Sequence, residues 1–303
     1  MLKILANDGM DKSAVSKLEK LGHSVDTNHY EGDELVAKMK EVDVIIIRSA
    51  TKIRKDLIDK VVGGNLKLMV RAGVGIDNID HEYAEEKGFA VRNTPKSGSA
   101  AVAELVLAHM FAIARFIGIS NVSMRAGEWN KKQYNGIELY GKTLGIIGMG
   151  RIGYEVAKRA KALGMDVIYN KRSGACAEYG EFTFASFEDV LKKSDFISIH
   201  TPLDKNAGAV IKSEQFDMMK DGVVLINAAR GGVVCEKCLL DALNSGKLMG
   251  AGIDVFAEEP TKNMDLVNHP KVSVTPHIGA QTKEAQSRIG KETLEVVLGH
   301  FKG

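Results

Sequence analysis

Cysteine, proline and tryptophan are scarce in this chain, and charge of neither sign is in excess. Three cysteines among 303 residues are too few for a disulfide-stapled scaffold and are typical of a reducing compartment. The 41 basic and 39 acidic residues leave a net charge of +2 without a basic stripe, so no nucleic-acid partner is expected. The hydrophobic share of 45% is ordinary for a globular protein, and the length predicts roughly two domains.

Two of the cysteines form a C-x-x-C pattern, Cys235-Glu-Lys-Cys238. A zinc site of this type needs a second ligand pair at a defined spacing, and the sequence has no such pair. No thioredoxin-like context surrounds the pattern either. It therefore predicts two ordinary cysteines near the start of a helix, and no metal site is expected.

The chain also lacks a long apolar run that is free of charges. Its longest apolar stretch, residues 100–119, contains Glu104, His109 and Arg115, which is typical of a buried helix rather than a membrane span. The N-terminus enters a strand-like segment, residues 2–6, without the charged and then apolar leader of a secretory signal. We therefore expect a cytoplasmic protein with no membrane partner.

Strand-like and helical segments alternate along the chain. The first series of strand-like runs covers residues 3–6, 25–27, 44–48, 68–71 and 90–93. The second series covers residues 144–147, 166–169, 196–200, 223–227, 252–255 and 272–275. This alternation predicts an α/β chain with two doubly wound parallel-sheet lobes, and ligands at the carboxyl ends of the strands. The predicted domains are residues 1–95 with 285–303, and residues 96–284.

The most informative motif is Gly148-Met-Gly150-Arg151-Ile152-Gly153, a G-x-G-x-x-G loop between a strand-like and a helical segment. In this context the first glycine allows a tight turn, the second lets a pyrophosphate approach the backbone, and the third lets the helix pack on its strand. The free N–H groups at the start of the helix face the phosphates. The second domain is therefore predicted to be a Rossmann-type dinucleotide-binding domain.

A departure from the usual pattern concerns the choice of cofactor. The residue that holds the adenosine ribose is expected about 20 residues beyond the loop, where the chain has Asn170-Lys171-Arg172. Asparagine does not repel the 2′-phosphate of NADP as a carboxylate does, and Lys171 and Arg172 could bind that phosphate. The residues alone leave the choice between NAD and NADP open.

Three chemically active side chains each follow a predicted strand: Arg230, Glu259 and His277. Oxidation of an alcohol needs a base for the hydroxyl proton, and histidine titrates near neutral pH. A carboxylate can orient the imidazole, and an arginine can bind an acid substrate and polarise its carbonyl. Taken singly, the three could equally be a packed histidine, a solvated glutamate and a strand-end arginine. The residue types suit hydride transfer, but alone they leave both interpretations open.

The chain resembles the D-2-hydroxyacid dehydrogenase family over almost all of its length. The resemblance is carried by residues 47–52, 70–80, 141–153, 227–234, 252–260 and 276–288. The last stretch, PHIGAQTKEAQSR, is similar in particular to the members that oxidise D-3-phosphoglycerate, which usually have aspartate at the ribose position and use NAD. By this resemblance His277 would move the proton, Glu259 would raise its basicity, and Arg230 would hold the substrate carboxylate and carbonyl oxygen.

The same resemblance implies further binding residues. Backbone N–H groups of Gly73, Val74 and Gly75 would contact the substrate carboxylate. Arg48 and Arg71 each end a predicted strand of the first domain, for which a flavodoxin-like fold is expected, and two converging cations suit a phosphate. The alternative is that both are surface charges, but their match to phosphate-binding positions of the family favours the phosphate role. The remaining predicted cofactor contacts are His200, Thr201, Pro202, Ala228 and Asp254.

Together these features predict NAD(P)-dependent oxidation of D-3-phosphoglycerate to 3-phosphohydroxypyruvate, the first step of serine biosynthesis in the family. A reductase of glyoxylate, hydroxypyruvate or another 2-oxoacid is the nearest alternative; Asn170-Lys171-Arg172 favours it, and Arg48 with Arg71 opposes it. An NADH-sensing binding protein is the alternative from another class, which the catalytic trio alone does not exclude. The resemblance also implies a short form without a regulatory domain and a homodimer through the nucleotide-binding domain.

Overall fold

The computed structural model describes residues 1–204 and 206–302. The chain divides into two compact units, of which unit 1 comprises Met1–Gly98 and Ala280–Gly303, and unit 2 comprises Ser99–Gly279. Unit 1 is thus assembled from both ends of the chain. Gly303, the last residue of the predicted first domain, lies outside the described residues.

Unit 1 is built on a five-stranded parallel sheet. Its strands are β1 (Lys3–Ala6), β2 (Ser24–Asp26), β3 (Val44–Ile47), β4 (Leu68–Arg71) and β5 (Ala90–Asn93). The helices between them are α1 (Lys12–Lys20), α2 (Gly32–Glu41), α3 (Lys55–Val61) and α4 (His81–Glu86), and the terminal helix Lys283–His300 belongs to the same unit. The strand order β2-β1-β3-β4-β5 is the flavodoxin-like order, as expected.

The sheet of unit 1 is apolar on both faces. Successive side chains of a strand point to opposite faces, and in β3 Ile45 and Ile47 join one buried cluster while Val44 and Ile46 join another. Helices cover both clusters, because a parallel sheet of this kind leaves neither face in water. The polar side chains that follow the strands are therefore left at the carboxyl edge of the sheet.

Unit 2 contains a seven-stranded parallel sheet. Its strands are β6 (Thr143–Ile147), β7 (Asp166–Asn170), β8 (Thr183–Phe184), β9 (Phe196–Ile199), β10 (Val223–Asn227), β11 (Leu248–Ile253) and β12 (Val272–Val274). Its helices are α5 (Ser99–Ala114), α6 (Ile117–Arg125), α7 (Arg151–Ala162), α8 (Phe187–Lys193), α9 (Ser213–Met218), α10 (Glu236–Asn244) and α11 (Met264–Val267), and α12 is the terminal helix of unit 1. The order β12-β11-β10-β9-β6-β7-β8 is the Rossmann order with one added strand. The predicted fold class is confirmed.

The unit boundaries differ slightly from the predicted domain boundaries. The chain passes from unit 1 to unit 2 after Gly98 rather than after residue 95, and returns after Gly279 rather than after residue 284. The first difference arises because α5 begins only at Ser99. The second arises because Thr282 caps α12, its hydroxyl oxygen accepting from the Ala285 N–H at 3.1 Å. Since a capped helix packs as one body, the helix stays whole within unit 1.

The apolar stretch after Pro95 forms two helices rather than one. Helix α5 is largely buried, and α6 follows it after a bend of 62°. Among residues 1–204 and 206–302, no single helix is long and apolar enough to cross a membrane; α5 and α6 together meet that criterion by length and composition only.

Candidate active site

The catalytic trio predicted from the sequence follows three neighbouring strands of unit 2. Strands β10, β11 and β12 are adjacent and parallel. Arg230 follows β10, Glu259 follows β11, and His277 follows β12. Because parallel strands present their carboxyl ends at the same edge of a sheet, the topology brings the three loops together.

His277 and Glu259 form a hydrogen-bonded pair. The His277 Nδ1 lies 2.8 Å from Glu259 Oε2, and the side chains are 28% and 33% exposed. An ionised carboxylate only accepts hydrogen bonds, so Nδ1 carries a proton, and in the neutral form of the ring the lone pair lies on Nε2. The pair is therefore arranged as an oriented general base that can be reached from outside the protein.

The charge state of Glu259 follows from its surroundings. Burial by itself would raise the pKa of Glu259, but the hydrogen bond and charge of His277, the Phe256 N–H and the charge of Arg230 together lower that pKa below 4.5. The Phe256 N–H donates to Glu259 Oε1 at 3.2 Å. Glu259 is thus ionised at neutral pH and can stabilise a positive imidazole.

Arg230 is held by the backbone around it. Its guanidinium donates from Nη1 to the Ala229 carbonyl at 2.6 Å, and the Asn227 side-chain amide donates to the Arg230 carbonyl at 3.0 Å. Its positive charge reaches Glu259, as the lowered pKa of that carboxyl reflects. The three members of the trio thus lie close enough for the charges of Arg230 and His277 to act on the Glu259 carboxylate.

Asp254, predicted as a cofactor contact, holds the backbone of the His277 loop. It is 1% exposed. Its Oδ1 accepts from the Ile278 N–H at 2.8 Å and its Oδ2 from the Gly279 N–H at 2.9 Å, while its carbonyl accepts from the His277 N–H at 2.8 Å. These bonds fix a turn in which His277 has φ +53°, a left-handed conformation that is uncommon for a residue with a side chain.

A second histidine supports this turn, and no motif in the sequence indicated that role. His109 on α5 is 2% exposed, with Nδ1 2.8 Å from Ser273 Oγ and Nε2 3.1 Å from Thr275 Oγ1. The Thr275 hydroxyl in turn donates to Asp254 at 2.6 Å. Burial lowers the pKa of His109, opposed by the charge of Asp254, so the ring is neutral at pH 7. No local sequence signal links a helix residue to partners more than 160 positions away.

The glycine loop has the geometry that a bound pyrophosphate requires. Gly148 has φ +95°, and a side chain there would come within 2.8 Å of the His200 carbonyl. A Cβ on Gly153 would come within 2.9 Å of the Gly148 carbonyl, whereas one on Gly150 would have no atom within 4 Å. The first and third glycines therefore serve close packing, and the second leaves open space in front of α7.

The groups around the loop suit an anionic ligand with further polar atoms. Helix α7 begins at Arg151 without a side-chain cap, so the N–H groups of its first turn, which includes Ile152, have no partner within the helix. His200 Nδ1 and Thr201 Oγ1 are buried without a hydrogen-bond partner. Buried polar atoms are normally satisfied, and here a ligand could satisfy them. Burial also lowers the pKa of His200 to about 4, which keeps its ring neutral.

The two other predicted contacts of this region lie in loops after strands. Pro202 is exposed in the loop after β9, and Ala228 directly follows β10 and is 8% exposed. Neither offers a side-chain hydrogen bond, so each would act by shape. No group of three or more His, Cys, Asp or Glu side chains that could hold a metal ion occurs among the residues the structure describes.

The end of β7 carries the residues relevant to the adenosine ribose. Asn170 accepts the Gly148 N–H on its carbonyl at 2.9 Å and donates from Nδ2 to the Ala185 carbonyl at 3.1 Å. Lys171 Nζ lies 4.9 Å from the centre of the Tyr179 ring, and Arg172 is exposed. Thus the position beside the glycine loop is polar and neutral, and the two residues after it are cationic.

In unit 1, Arg48 and Arg71 lie at the carboxyl ends of neighbouring strands, since Ile47 of β3 pairs with Arg71 of β4. The Arg48 N–H donates to Asp8 at 2.6 Å, and Arg48 Nη2 donates to Gln281 Oε1 at 2.7 Å. Burial lowers the pKa of Arg48, and the charge of Asp8 opposes that effect. The two arginines thus belong to one edge of this sheet.

The loop from Gly73 to Gly75 lies against Arg71. A Cβ on Gly73 would be 1.4 Å from Arg71 Nη1, so only glycine lets this side chain cross the backbone. The Asn93 side chain donates to the Val74 carbonyl at 2.5 Å. This loop is therefore bonded to Asn93, the last residue of the neighbouring strand β5.

Comparison with known proteins places the chain among relatives. Residues 107–279 match the family model of the D-isomer specific 2-hydroxyacid dehydrogenase, NAD binding domain. The chain is 42% identical to a D-3-phosphoglycerate dehydrogenase of Methanocaldococcus jannaschii, with 100% of this chain and 58% of that protein covered. It is 44% identical to a hydroxypyruvate reductase of Thermotoga maritima, with 97% of each covered. The chain therefore spans a little over half of the first relative and nearly all of the second.

A similar solved structure is that of an acyclic imino acid reductase in complex with NADPH and D-Arg. It is 27% identical and superposes with a TM-score of 0.90 over 99% of this chain and 97% of that one. These matches confirm the resemblance found in the sequence, and the chain belongs to the D-isomer specific 2-hydroxyacid dehydrogenase family.

Proposed function

We propose that this chain is an NAD(H)-dependent oxidoreductase that interconverts a 2-hydroxy acid and its 2-oxoacid. The hydrogen bond between His277 and Glu259 carries the proposal, because an oriented imidazole with a carboxylate behind it is what abstraction of a hydroxyl proton requires. The glycine loop and the polar atoms of His200 and Thr201 support a bound dinucleotide.

The mechanism assigns one task to each residue of the trio. His277 Nε2 accepts the proton of the C2 hydroxyl, and ionised Glu259 stabilises the resulting imidazolium through Nδ1. Arg230 pairs with the substrate carboxylate and stabilises negative charge on the carbonyl oxygen. When bound, the dinucleotide supplies the nicotinamide ring that accepts or returns the hydride. In the reducing direction His277 returns the proton to the new hydroxyl.

The substrate we favour is D-3-phosphoglycerate, with 3-phosphohydroxypyruvate as product and a place at the first step of serine synthesis. The adjacent arginines Arg48 and Arg71 support it, because two cations at neighbouring strand ends suit a dianionic phosphate. The N–H groups from Gly73 to Gly75 would bind the carboxylate. Hydroxypyruvate is the competing substrate, supported by the Thermotoga relative.

The experiment compares 3-phosphohydroxypyruvate with hydroxypyruvate by loss of NADH absorbance. A clear preference for the phosphorylated compound is expected. Arg48→Ala should lower kcat/KM for that compound roughly 10- to 100-fold, the equivalent of about 1.5–3 kcal/mol for a hydrogen bond to a charged group, with a smaller loss for hydroxypyruvate. Arg92→Ala is the matched control, since Arg92 is an exposed arginine of β5 in the same unit. Equal losses for both substrates in Arg48→Ala would refute the phosphate role.

For the cofactor we propose NADH as the main reductant with NADPH tolerated. The neutral Asn170 and the cations Lys171 and Arg172 support tolerance, and the imino acid reductase provides a relative in complex with NADPH. Asn170→Asp should lower kcat/KM for NADPH at least tenfold while leaving that for NADH within about threefold, because a carboxylate repels the 2′-phosphate. Unchanged NADPH kinetics in Asn170→Asp would contradict this assignment.

We also propose a homodimer through unit 2. Helix α6 exposes Ile117, Ile119, Val122 and Met124, and exposed large apolar side chains in this number are typical of an interface. Val122→Glu should shift the chain from dimer to monomer in sedimentation velocity. A wild-type chain that sediments as a monomer at micromolar concentration would exclude this interface.

A further inference from the structure

Cys235 and Cys238, which the sequence predicted to be ordinary cysteines, are joined in a disulfide. Their Cα atoms are 5.3 Å apart, a separation that permits the bond without moving the backbone. Cys235 is the N-cap of α10 and Cys238 lies in its first turn, so the predicted helix start is correct. Cys176 is the free cysteine.

We propose that Cys235 and Cys238 form a reversible thiol–disulfide redox site that controls the order of the loop carrying Glu259. The redox site itself is independent of the proposed function. Its effect on turnover rests on that function.

The local chemistry favours exchange. Cys235 Sγ accepts from the Cys238 N–H at 3.3 Å, and the start of a helix stabilises a thiolate at this position. Both cysteines are partly exposed, so a small disulfide such as oxidised glutathione can reach them. The Cys235 thiolate attacks that disulfide and releases one thiol, and Cys238 then displaces the second. The two cysteines lose two electrons and two protons, which the two released thiols carry away.

Glu236, the residue next to Cys235, connects the pair to the Glu259 loop. Its Oε1 accepts from the Ala257 N–H at 2.7 Å, and its Oε2 accepts from Asn263 Nδ2 at 2.8 Å. Ala257 and Asn263 lie on either side of Glu259 in the chain, and the Phe256 N–H donates to the Glu259 carboxylate. Glu236 therefore holds the segment that carries Glu259, the hydrogen-bond partner of His277. We call the two hydrogen bonds of Glu236 the strap.

The chain before the pair is already fixed. The Cys235 N–H donates to the Ile211 carbonyl at 2.9 Å, and Ile211 also pairs with Val234. When the disulfide is reduced, we therefore expect the first turn of α10, where Glu236 lies, to become more mobile, while the chain before Cys235 stays fixed. We infer that the disulfide restricts that turn to the conformation in which Glu236 holds the loop, and that reduction loosens the strap.

The first experiment equilibrates the full chain in buffers of oxidised and reduced glutathione, alkylates the free thiols and counts them by intact mass. Three alkylated cysteines are expected in the reduced state and one, Cys176, in the oxidised state. Cys176→Ser is the matched control and should still lose two thiols on oxidation. Cys235→Ser with Cys238→Ser should keep one thiol throughout. Three thiols under every buffer would overturn the redox site.

The second experiment measures hydrogen exchange of the Ala257 amide, which reports on its hydrogen bond to Glu236. Turnover of a 2-oxoacid is measured on the same samples. Both the amide protection and the turnover should be about fivefold higher in the oxidised state, at the low end of typical coupling between sites. Glu236→Gln should remove the redox dependence of both while its thiols still titrate. Equal exchange rates of Ala257 in the oxidised and reduced states would refute the coupling. This result does not depend on activity, so it is distinct from a failure of the proposed function, which would appear as no turnover of any 2-oxoacid.

Discussion

Two glycines of the glycine loop should respond differently to replacement by alanine. Gly148→Ala should destabilise the fold, whereas Gly150→Ala should weaken NADH binding. Gly148 has φ +95°, and a Cβ there would come within 2.8 Å of the backbone of His200. The left-handed conformation costs roughly 1–2 kcal/mol for alanine, and the clash with backbone atoms adds about 1–3 kcal/mol. Gly148→Ala should therefore lower the free energy of unfolding by roughly 2–5 kcal/mol.

Gly150→Ala should leave the protein without ligand almost unchanged. Its φ is −119°, which any residue can adopt, and a Cβ would meet no atom within 4 Å. The cost should stay below about 1 kcal/mol, since alanine is only a poorer N-cap than glycine. The methyl group would, however, occupy the space proposed for the pyrophosphate. We expect NADH affinity to fall about 10- to 100-fold, a steric cost of about 1–3 kcal/mol.

The assays are urea unfolding of the chain without cofactor and titration by NADH fluorescence. Gly222→Ala is the control for backbone strain, because Gly222 has φ +77° in unit 2 with no atom within 4 Å of a Cβ; it should show the dihedral cost alone. If Gly150→Ala binds NADH as the wild type does, the open space in front of α7 is not the phosphate site. If Gly148→Ala is no less stable than Gly222→Ala, the packing argument is refuted.

Further predictions concern the His277 loop and pH. Glu259→Gln should lower kcat/KM about 10²-fold or more with little change in unfolding free energy, since the imidazolium loses its counter-charge; a loss below threefold would show that Glu259 is not needed. Thr275→Val should lower kcat more than it raises KM, and Thr275→Ser should restore activity because it keeps the hydrogen bond to Asp254; if neither variant differs from wild type, the turn does not depend on this bond. His200, whose pKa burial lowers from 6.5 to about 4, takes up a proton in the unfolded chain before it does so in the folded one. The free energy of unfolding should therefore keep the full contribution of His200 above pH 6.5 and lose about 3 kcal/mol of it as the pH drops to 4. Urea unfolding across this range should show a smaller loss of stability in His200→Gln than in the wild type.

Several features of the fold and the site followed from local sequence. The runs of buried aliphatic residues, such as Val44–Ile47, predicted strands because a strand covered on both faces must be apolar throughout. The glycine spacing predicted the phosphate loop because only glycine tolerates the turn at Gly148 and the approach at Gly153. The positions of Arg230, Glu259 and His277 just after strands predicted that they would gather, since parallel strands end at one edge.

Other features required the tertiary structure, because their partners are far apart in the chain. The order of the strands, and hence which loops become neighbours, depends on crossovers that no local pattern encodes. The support of the His277 turn by Asp254 and His109 arises only when α5 packs on β11, where a Cβ at Gly252 would lie 2.6 Å from His109 Cβ. The pairing of Cys235 with Cys238 was near in sequence, yet its link to the Glu259 loop runs through Glu236 and a segment more than twenty residues away. Residue type and spacing thus determined the chemistry available to this protein, and long-range packing decided which groups act on one another.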